Sequence, residues 1–265
     1  MKIVSYDKFI LNNRLLMKII LIPLPHKDFD PSETAIPFKL LKEKNYSIVF
    51  STPMGVEAAA DPIMLTGKGL GILKRFFMAR KDAIGAYAQM MISPEFKNPI
   101  AYSELKTENY DALLLPGGHA KGMREYLESS TLQNVAAEFM NQKKLVAAVC
   151  HGVVLLARSK GADGKSVLYG RKTTGLLRQQ EKLAFNITRL WMDDYYLTYP
   201  ETTVEDEVKE NLKQESDFIQ GPNPIGKDRA NNLKNGFSLV DENYISARWP
   251  GDIYSFTANI LKQLK

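Results

Sequence analysis

The sequence has 265 residues, of which 45% are hydrophobic and 25% are charged, and its formal net charge is +5. This length predicts about one or two domains, and the composition is typical of a globular protein rather than a collagen-like or disordered one. The only cysteine cannot form an intramolecular disulfide or a cysteine-based zinc site. We find no run of about 20 apolar residues and only a mild basic charge, so we expect neither a membrane span nor a nucleic-acid partner.

Residues 1–16 precede the first predicted strand and are interpreted as an N-terminal extension. Lys8, Arg14 and Lys18 interrupt the apolar core that a secretory signal needs, so we expect a cytoplasmic protein. Residues 17–265 are expected to form one domain, because no linker, repeat or low-complexity tract divides them.

Short apolar runs alternate with helical patterns through the rest of the chain. Strands are predicted over 17–22, 47–51, 111–115 and 145–149, helices over about 131–142, 151–160, 178–192 and from about 252, and a hairpin over 237–240 and 244–247. Residues 56–102, with a helical stretch near 72–92, and the polar, irregular residues 193–235 are interpreted as insertions that build a cap. The alternation predicts an α/β fold, a flavodoxin-like, doubly wound and mostly parallel sheet sandwiched by helices.

Cys150 lies where a predicted strand ends and a helix begins, with small residues around it. Such a sharp turn lifts a side chain above the sheet as a nucleophile elbow does, and the start of the following helix favours the thiolate. A lone cysteine can equally be a small buried apolar residue. The strand-Cys-His-Gly-helix context favours a nucleophile, and His151 is a proton carrier if a carboxylate orients its ring.

All three histidines, His26, His119 and His151, follow predicted strands at the same end of the sheet. Gly117 and Gly118 also end a strand there, where glycines let backbone N–H groups approach a ligand as an oxyanion site requires. A plain tight turn explains the same glycines equally well. The spacing of the histidines and nearby acids matches no metal motif, so no metal or other cofactor is expected.

Glu33 follows Asp30-Pro31 in the pattern of a helix capping box, and a structural and a functional role are equally compatible with that spacing. Pro37 removes the N–H that would bond the Glu33 carbonyl, so this turn is expected to be distorted. Held near a thiolate, the carboxyl would have its pKa raised by that negative charge and could donate a proton to the sulfur.

These residues resemble the motifs of the ThiJ/PfpI superfamily, whose fold is similar to that of class I glutamine amidotransferases. The resemblance runs from Met17 to the end of the chain. It is carried by four segments: Ala148-Val149-Cys150-His151-Gly152, Asp111 through Gly118, the helix with Glu33, and Ser246 through Asp252. The resemblance to the glyoxalase III and heat-shock chaperone-like branch implies a triad of Cys150, His151 and Glu181, with Glu33 beside the sulfur.

That branch also implies a function. It converts small dicarbonyls such as methylglyoxal to hydroxy acids without glutathione or metal, and members of the superfamily are often homodimers. Trp191, Tyr195, Tyr196 and Tyr199 are candidate walls of a cap. Two alternatives remain: a cysteine amidase or peptidase, and a redox-sensing or holdase stress protein. An amidotransferase triad with a downstream histidine is excluded, because no histidine follows His151.

Overall fold

The computed structural model describes residues 17–265; the predicted N-terminal extension, residues 1–16, lies outside the described residues. The strands are β1 (Ile19–Pro23), β2 (Lys27–Phe29), β3 (Ser47–Thr52), β4 (Ala59–Ala60), β5 (Ile100–Ala101), β6 (Ala112–Leu115), β7 (Leu145–Val149), β8 (Ser238–Asp241) and β9 (Tyr244–Ala247). The helices are α1 (Pro31–Glu43), α2 (Pro62–Thr66), α3 (Lys74–Phe77), α4 (Lys81–Met91), α5 (Pro94–Lys97), α6 (Arg124–Leu127), α7 (Ser130–Asn141), α8 (Gly152–Arg158), α9 (Arg178–Met192), α10 (Val204–Glu210) and α11 (Ile253–Gln263).

Seven strands form one sheet in the order β5-β3-β1-β6-β7-β9-β8, in which only β8 runs antiparallel to its neighbour. The central strands are nearly continuous apolar runs because both of their faces are covered by helices. Helix α1 packs against α4 and α11, whereas α7 and α10 pack against α8. The predicted mostly parallel α/β architecture is therefore confirmed.

The chain builds the sheet outward from β1 to β3 and β5, then returns to β6 and continues to β7 and β9. The strand order therefore reverses between β1 and β6, and ligands of such sheets bind beyond the carboxyl ends of strands near this point. The register pairs Leu115 of β6 with Ala148 of β7, so the residues that follow these two strands emerge side by side.

The two predicted insertions are more ordered than the sequence pattern indicated. The helical stretch expected near 72–92 is divided into α3 and α4, with extended backbone at Met78 between them. The 56–102 segment also supplies the edge strand β5, and the 193–235 segment contains α10. Short edge strands and a helix with many charged residues have weak periodicity, which explains why the pattern alone missed them.

Candidate active site

Cys150 occupies a strained turn between β7 and α8. Its φ is +56°, a left-handed conformation that costs a non-glycine residue roughly 1–2 kcal/mol. Only glycine at position 152 lets this turn pack so closely against the end of β6, because a Cβ there would lie 2.2 Å from the carbonyl oxygen of Leu115. The local geometry is that of a nucleophile elbow.

The imidazole of His151 faces the sulfur of Cys150, with Nδ1 at 3.5 Å from Sγ. On the other side of the ring, Nε2 lies 2.9 Å from the hydroxyl oxygen of Thr198. That hydroxyl donates its own proton to the carbonyl of His119 at 2.6 Å, so it can only accept from the histidine. The proton of the neutral ring is thereby held on Nε2, which leaves Nδ1 as a bare acceptor beside the thiol.

Glu181, which the resemblance implied as the third member of a triad, lies near His151, but it is not the nearest partner of the ring. Its Oε1 is 3.9 Å from His151 Nε2, and its Oε2 accepts a hydrogen bond of 3.0 Å from the N–H of Val204. Thr198 makes the direct hydrogen bond. Sequence reasoning missed Thr198 because a single threonine in a polar segment carries no recognisable pattern.

Glu33 does not close a capping box. Asp30 caps α1 by accepting from the N–H groups of Ser32 and Glu33, while its own N–H donates to the carbonyl of Gly117 at 2.9 Å. The Glu33 side chain is therefore free to turn away from the helix start, and α1 continues through Pro37.

The carboxyl of Glu33 instead reaches the strand ends. Its Oε2 accepts from the N–H of Gly117 at 2.8 Å, whereas Oε1 has no nitrogen or oxygen partner among the described residues. The neighbouring thiol of Cys150 lowers the pKa of this carboxyl, although burial outweighs that effect. The expected oxyanion donor at Gly117 is thus engaged by Glu33, and the neighbouring residues that line the cleft are Gly118 and His119.

Burial dominates the protonation states of this group. It raises the pKa of the Cys150 thiol well above its ordinary value, and the charges of Glu33 and Asp30 raise it further. The hydrogen bond from the N–H of His151 lowers that pKa, but its effect is smaller than that of burial. The expectation that the helix start would favour the thiolate is therefore wrong, because desolvation outweighs the helix terminus.

The other acid and base groups shift in the directions that keep them neutral. Burial raises the pKa of Glu33 well above its ordinary value, with Asp30 as the next cause. The sulfur of Cys150 was predicted to raise the pKa of Glu33, but the thiol lowers it. Burial also lowers the pKa of His151 to about 3 and raises that of Glu181 to about 7. At neutral pH the pocket therefore holds a thiol and a neutral imidazole, beside a glutamic acid whose pKa is raised.

His119 forms the wall of the site on the side of the cap. Its ring stacks on Tyr196 at 4.6 Å between centroids and meets Tyr195 edge-on at 4.8 Å. The hydroxyl of Tyr195 donates to Asp61 at 2.5 Å. His26, by contrast, is exposed and takes no part in the site.

The site opens into a cleft of about 1160 Å³, whose floor includes Cys150, Glu33 and Glu181. Residues from α3, from α9 and from the 222–235 segment line its rim. Of the four aromatic residues predicted to line a cap, Tyr196 lines the cleft, whereas Tyr199 is bound to Arg158 and Glu128. The indole of Trp191 donates to the carbonyl of Gly69.

Residues 17–265 contain no cluster of three or more histidine, cysteine, aspartate or glutamate side chains suited to a metal ion. Within the same range, no helix combines the length and apolar character needed to cross a membrane.

A parallel α/β sheet with a cysteine on a strained turn, flanked by a histidine and a buried glutamic acid, defines the class of protein to which this chain belongs. The chain matches the ThiJ/PfpI family-like model over residues 24–222, and it is a member of that family.

Relatives of this chain are named as enzymes. Glutathione-independent glyoxalase hsp3101 of Schizosaccharomyces pombe is 27% identical over 197 residues, which cover 73% of each chain. Deglycase PfpI of Pyrococcus furiosus is 25% identical over 169 residues, covering 64% of this chain and 71% of the relative. The structure of glyoxalase III from Candida albicans has the same fold, with a TM-score of 0.66 at 19% identity over 94% of this chain and 98% of that one.

Replacing Thr198 by valine is expected to lower the catalytic efficiency (kcat/KM) by about 10–100-fold, because loss of the hydroxyl frees the ring of His151 to change tautomer and orientation. Valine keeps the shape of threonine, and Thr198→Ser is the matched control that restores the hydroxyl. Steady-state kinetics on the three proteins provide the measurement. Equal activity of the valine variant and the original protein would remove Thr198 from the site.

Replacing Glu181 by glutamine is expected to change how stability depends on pH. The pKa of Glu181 is raised from 4.5 to about 7, so the folded protein holds this proton more tightly than the unfolded chain does. The contribution of this bound proton to the free energy of unfolding is complete below pH 4.5 and is lost as the pH rises through about 7.

Urea unfolding at pH 4.5 and pH 8 measures this effect. Relative to the original protein, Glu181→Gln should gain about 3 kcal/mol of unfolding free energy between the two pH values, since one pKa unit corresponds to about 1.4 kcal/mol. A difference that does not change with pH would show that Glu181 titrates as an ordinary carboxyl.

Proposed function

We propose that this protein is a cysteine-dependent enzyme that converts small reactive dicarbonyls to hydroxy acids without glutathione, with methylglyoxal to lactate as the model reaction. The observation that carries the proposal is the pairing of Cys150 Sγ with His151 Nδ1 at 3.5 Å, beside a glutamic acid whose pKa is raised well above its ordinary value by burial. This reaction needs a nucleophile and two groups that move protons between adjacent carbons, and the site supplies all three. The named relatives support the same chemistry.

In the first step, the sulfur attacks the aldehyde carbon and forms a C–S bond. The thiol proton passes to His151 Nδ1, and the aldehyde oxygen takes the proton of Glu33, which gives a hemithioacetal. The raised pKa of Cys150 means that the thiolate does not persist at rest, so the thiol is deprotonated as the bond forms. The depressed pKa of His151 keeps the ring unprotonated and ready to accept.

In the next steps, protons move but no external oxidant is needed. The Glu33 carboxylate removes the proton from the hemithioacetal carbon, while His151 protonates the neighbouring carbonyl oxygen to give an enediol. Glu33 then returns its proton to the second carbon, and His151 takes the hydroxyl proton of the first, which becomes a thioester. One carbon is oxidised and its neighbour is reduced by the same two electrons.

Water completes the reaction by attacking the thioester. The C–S bond breaks, the sulfur regains a proton from His151, Glu33 takes a proton from the water, and the hydroxy acid leaves. The sum is methylglyoxal plus water to lactic acid, with the side chains of Cys150, His151 and Glu33 restored.

The test is to incubate the protein with methylglyoxal in the absence of glutathione and to follow lactate. Turnover is expected from the original protein and not from Cys150→Ala. Lactate formation at the same rate in both proteins, or in neither, would overturn the proposal. Chromogenic amides and short peptides, offered to the same two proteins, would reveal an amidase instead.

A further inference from the structure

The cleft is much larger than a three-carbon dicarbonyl requires. Its volume of about 1160 Å³ exceeds the range of about 300–1000 Å³ that is typical of pockets for whole small-molecule ligands. The cleft therefore offers space for a substituent that extends from the reacting aldehyde towards the rim.

The charged residues of the cleft are segregated. The acids that line it are Asp30, Glu33 and Glu181, and burial raises the pKa of each, that of Asp30 to about 6. The lining cations all belong to α3, the turn after it and the 222–235 segment: Arg75, Arg80, Lys227 and Arg229. Among the described residues, only Arg80 of these four has a carboxylate within 4 Å, at 3.4 Å from Asp82. The rim is therefore positively charged above a floor whose acids tend to be neutral.

Three donors at this rim lie together. The ammonium group of Lys227 lies 5.5 Å from the centre of the Trp249 ring and donates to the carbonyl of Phe76. Burial lowers the pKa of Lys227 and repulsion from Arg80 lowers it further, whereas the charges of Asp30 and Asp82 act in the opposite direction. Two buried nitrogens of the group, Arg80 Nη2 and Trp249 Nε1, have no hydrogen-bond acceptor among the described residues.

Buried polar atoms without a hydrogen-bond partner are concentrated at the cleft. Of the nine buried side-chain atoms without a partner in the described part of the chain, six belong to residues that line it: Glu33, Arg80, His119, Gln180, Tyr196 and Trp249. Buried polar atoms are nearly always paired in folded proteins, so a cluster of unpaired ones indicates where a ligand or ordered water completes the hydrogen bonding. Two of these unpaired atoms, Arg80 Nη2 and Trp249 Nε1, are donors on or beside cations, which an anion suits.

We propose that the enzyme favours dicarbonyl substrates that carry a carboxylate or phosphate group a few bonds from the aldehyde, with this anion bound by Lys227, Arg80 and Trp249. Charge-assisted hydrogen bonds from arginine and lysine are the strong ones, and the unpaired N–H of the indole adds a third donor. The inference rests on the proposed function, because the anion group positions the aldehyde over Cys150. It deepens that function by naming the class of substrate.

The test compares two five-carbon substrates that differ in charge, 4,5-dioxopentanoate and 2-oxopentanal, whose products are 2-hydroxyglutarate and 2-hydroxypentanoate. We expect kcat/KM to favour the anionic substrate by at least about tenfold at low salt, and this ratio to fall as ionic strength rises. In Lys227→Met the ratio should approach one. Lys262→Met, which removes an exposed charge outside the cleft lining, is the control and should preserve the ratio.

A second measurement does not depend on turnover. Calorimetry with the Cys150→Ala protein should show binding of 4-oxopentanoate in preference to 2-pentanone, and adding Lys227→Met should weaken that preference. Inorganic phosphate and acetate, used as competitors, identify the favoured anion, which is the stronger inhibitor.

The outcomes separate the two proposals. Equal use of both five-carbon substrates, or an unchanged ratio in Lys227→Met, would overturn the inference and leave the proposed function intact. Absence of turnover with preferential binding of the anion would reject the dicarbonyl chemistry and retain only the anion site. If neither turnover nor preferential binding of the anion is observed, both the dicarbonyl reaction and the anion site are rejected.

Discussion

Cys150→Ala and Cys150→Gly are both expected to abolish dicarbonyl turnover, with a loss of at least about 1000-fold, because no other group in the cleft can form the C–S bond. The two variants should nevertheless differ in stability. With φ at +56°, residue 150 lies in a region that glycine adopts without the penalty paid by any residue with a Cβ. Cys150→Gly should therefore be more stable than Cys150→Ala by about 1 kcal/mol.

Chemical denaturation of the two inactive variants measures this difference, and the lactate assay measures the loss of activity. The pair is matched because neither carries a thiol and they differ by one methyl group. If the alanine variant were the more stable of the two, the turn at residue 150 would not be strained in solution.

Glu33→Gln is expected to reduce kcat by about 100-fold or more, the usual contribution of a group that transfers protons in the rate-limiting step. Glutamine has the shape of the protonated acid and can still accept from the N–H of Gly117, but it cannot deliver or remove a proton. The same change should lower the pKa of Cys150, because the charge of Glu33 is one cause of its elevation. The variant should thus combine a more easily ionised thiol with slower turnover.

The pH dependence of alkylation by iodoacetamide gives the thiol pKa directly, since Cys150 is the only cysteine and contributes the whole signal. Glu33→Asp, which retains a titratable proton on a shorter side chain, is the control and should recover part of the activity. Unchanged turnover in Glu33→Gln would show that the side chain only positions Gly117. An unchanged thiol pKa would show that the two groups do not interact.

The predicted fold was correct where the chain has strong local patterns. Strands such as Leu145–Val149 and the helix Arg178–Met192 were predicted with the bounds that the structure has. Both are decided by periodicity over a few residues, which a sequence displays directly. The two-residue strand Ile100–Ala101 was missed, because its position depends on pairing with β3 rather than on its own composition.

The candidate site was predictable to the same degree. The adjacency of Cys150 and His151 on an elbow and the candidate role of Glu33 follow from the residues themselves, and the family resemblance added Glu181. The partner of the His151 ring was not predictable: Thr198 lies 47 positions away and reaches the site only because the cap folds over it. The cluster of cations at the rim was not predictable for the same reason. It depends on a contact between Lys227 and the carbonyl of Phe76, which are 151 positions apart in the chain.

The sequence by itself therefore determined that this protein has a parallel α/β sheet and a cysteine elbow, because hydrophobic periodicity and turn residues act over short distances along the chain. Only the tertiary structure decided the protonation state of the elbow. The pKa values of Cys150, Glu33 and His151 depend mainly on how completely water is removed from them. Desolvation is a property of the assembled core, to which distant segments contribute, and no local pattern records it.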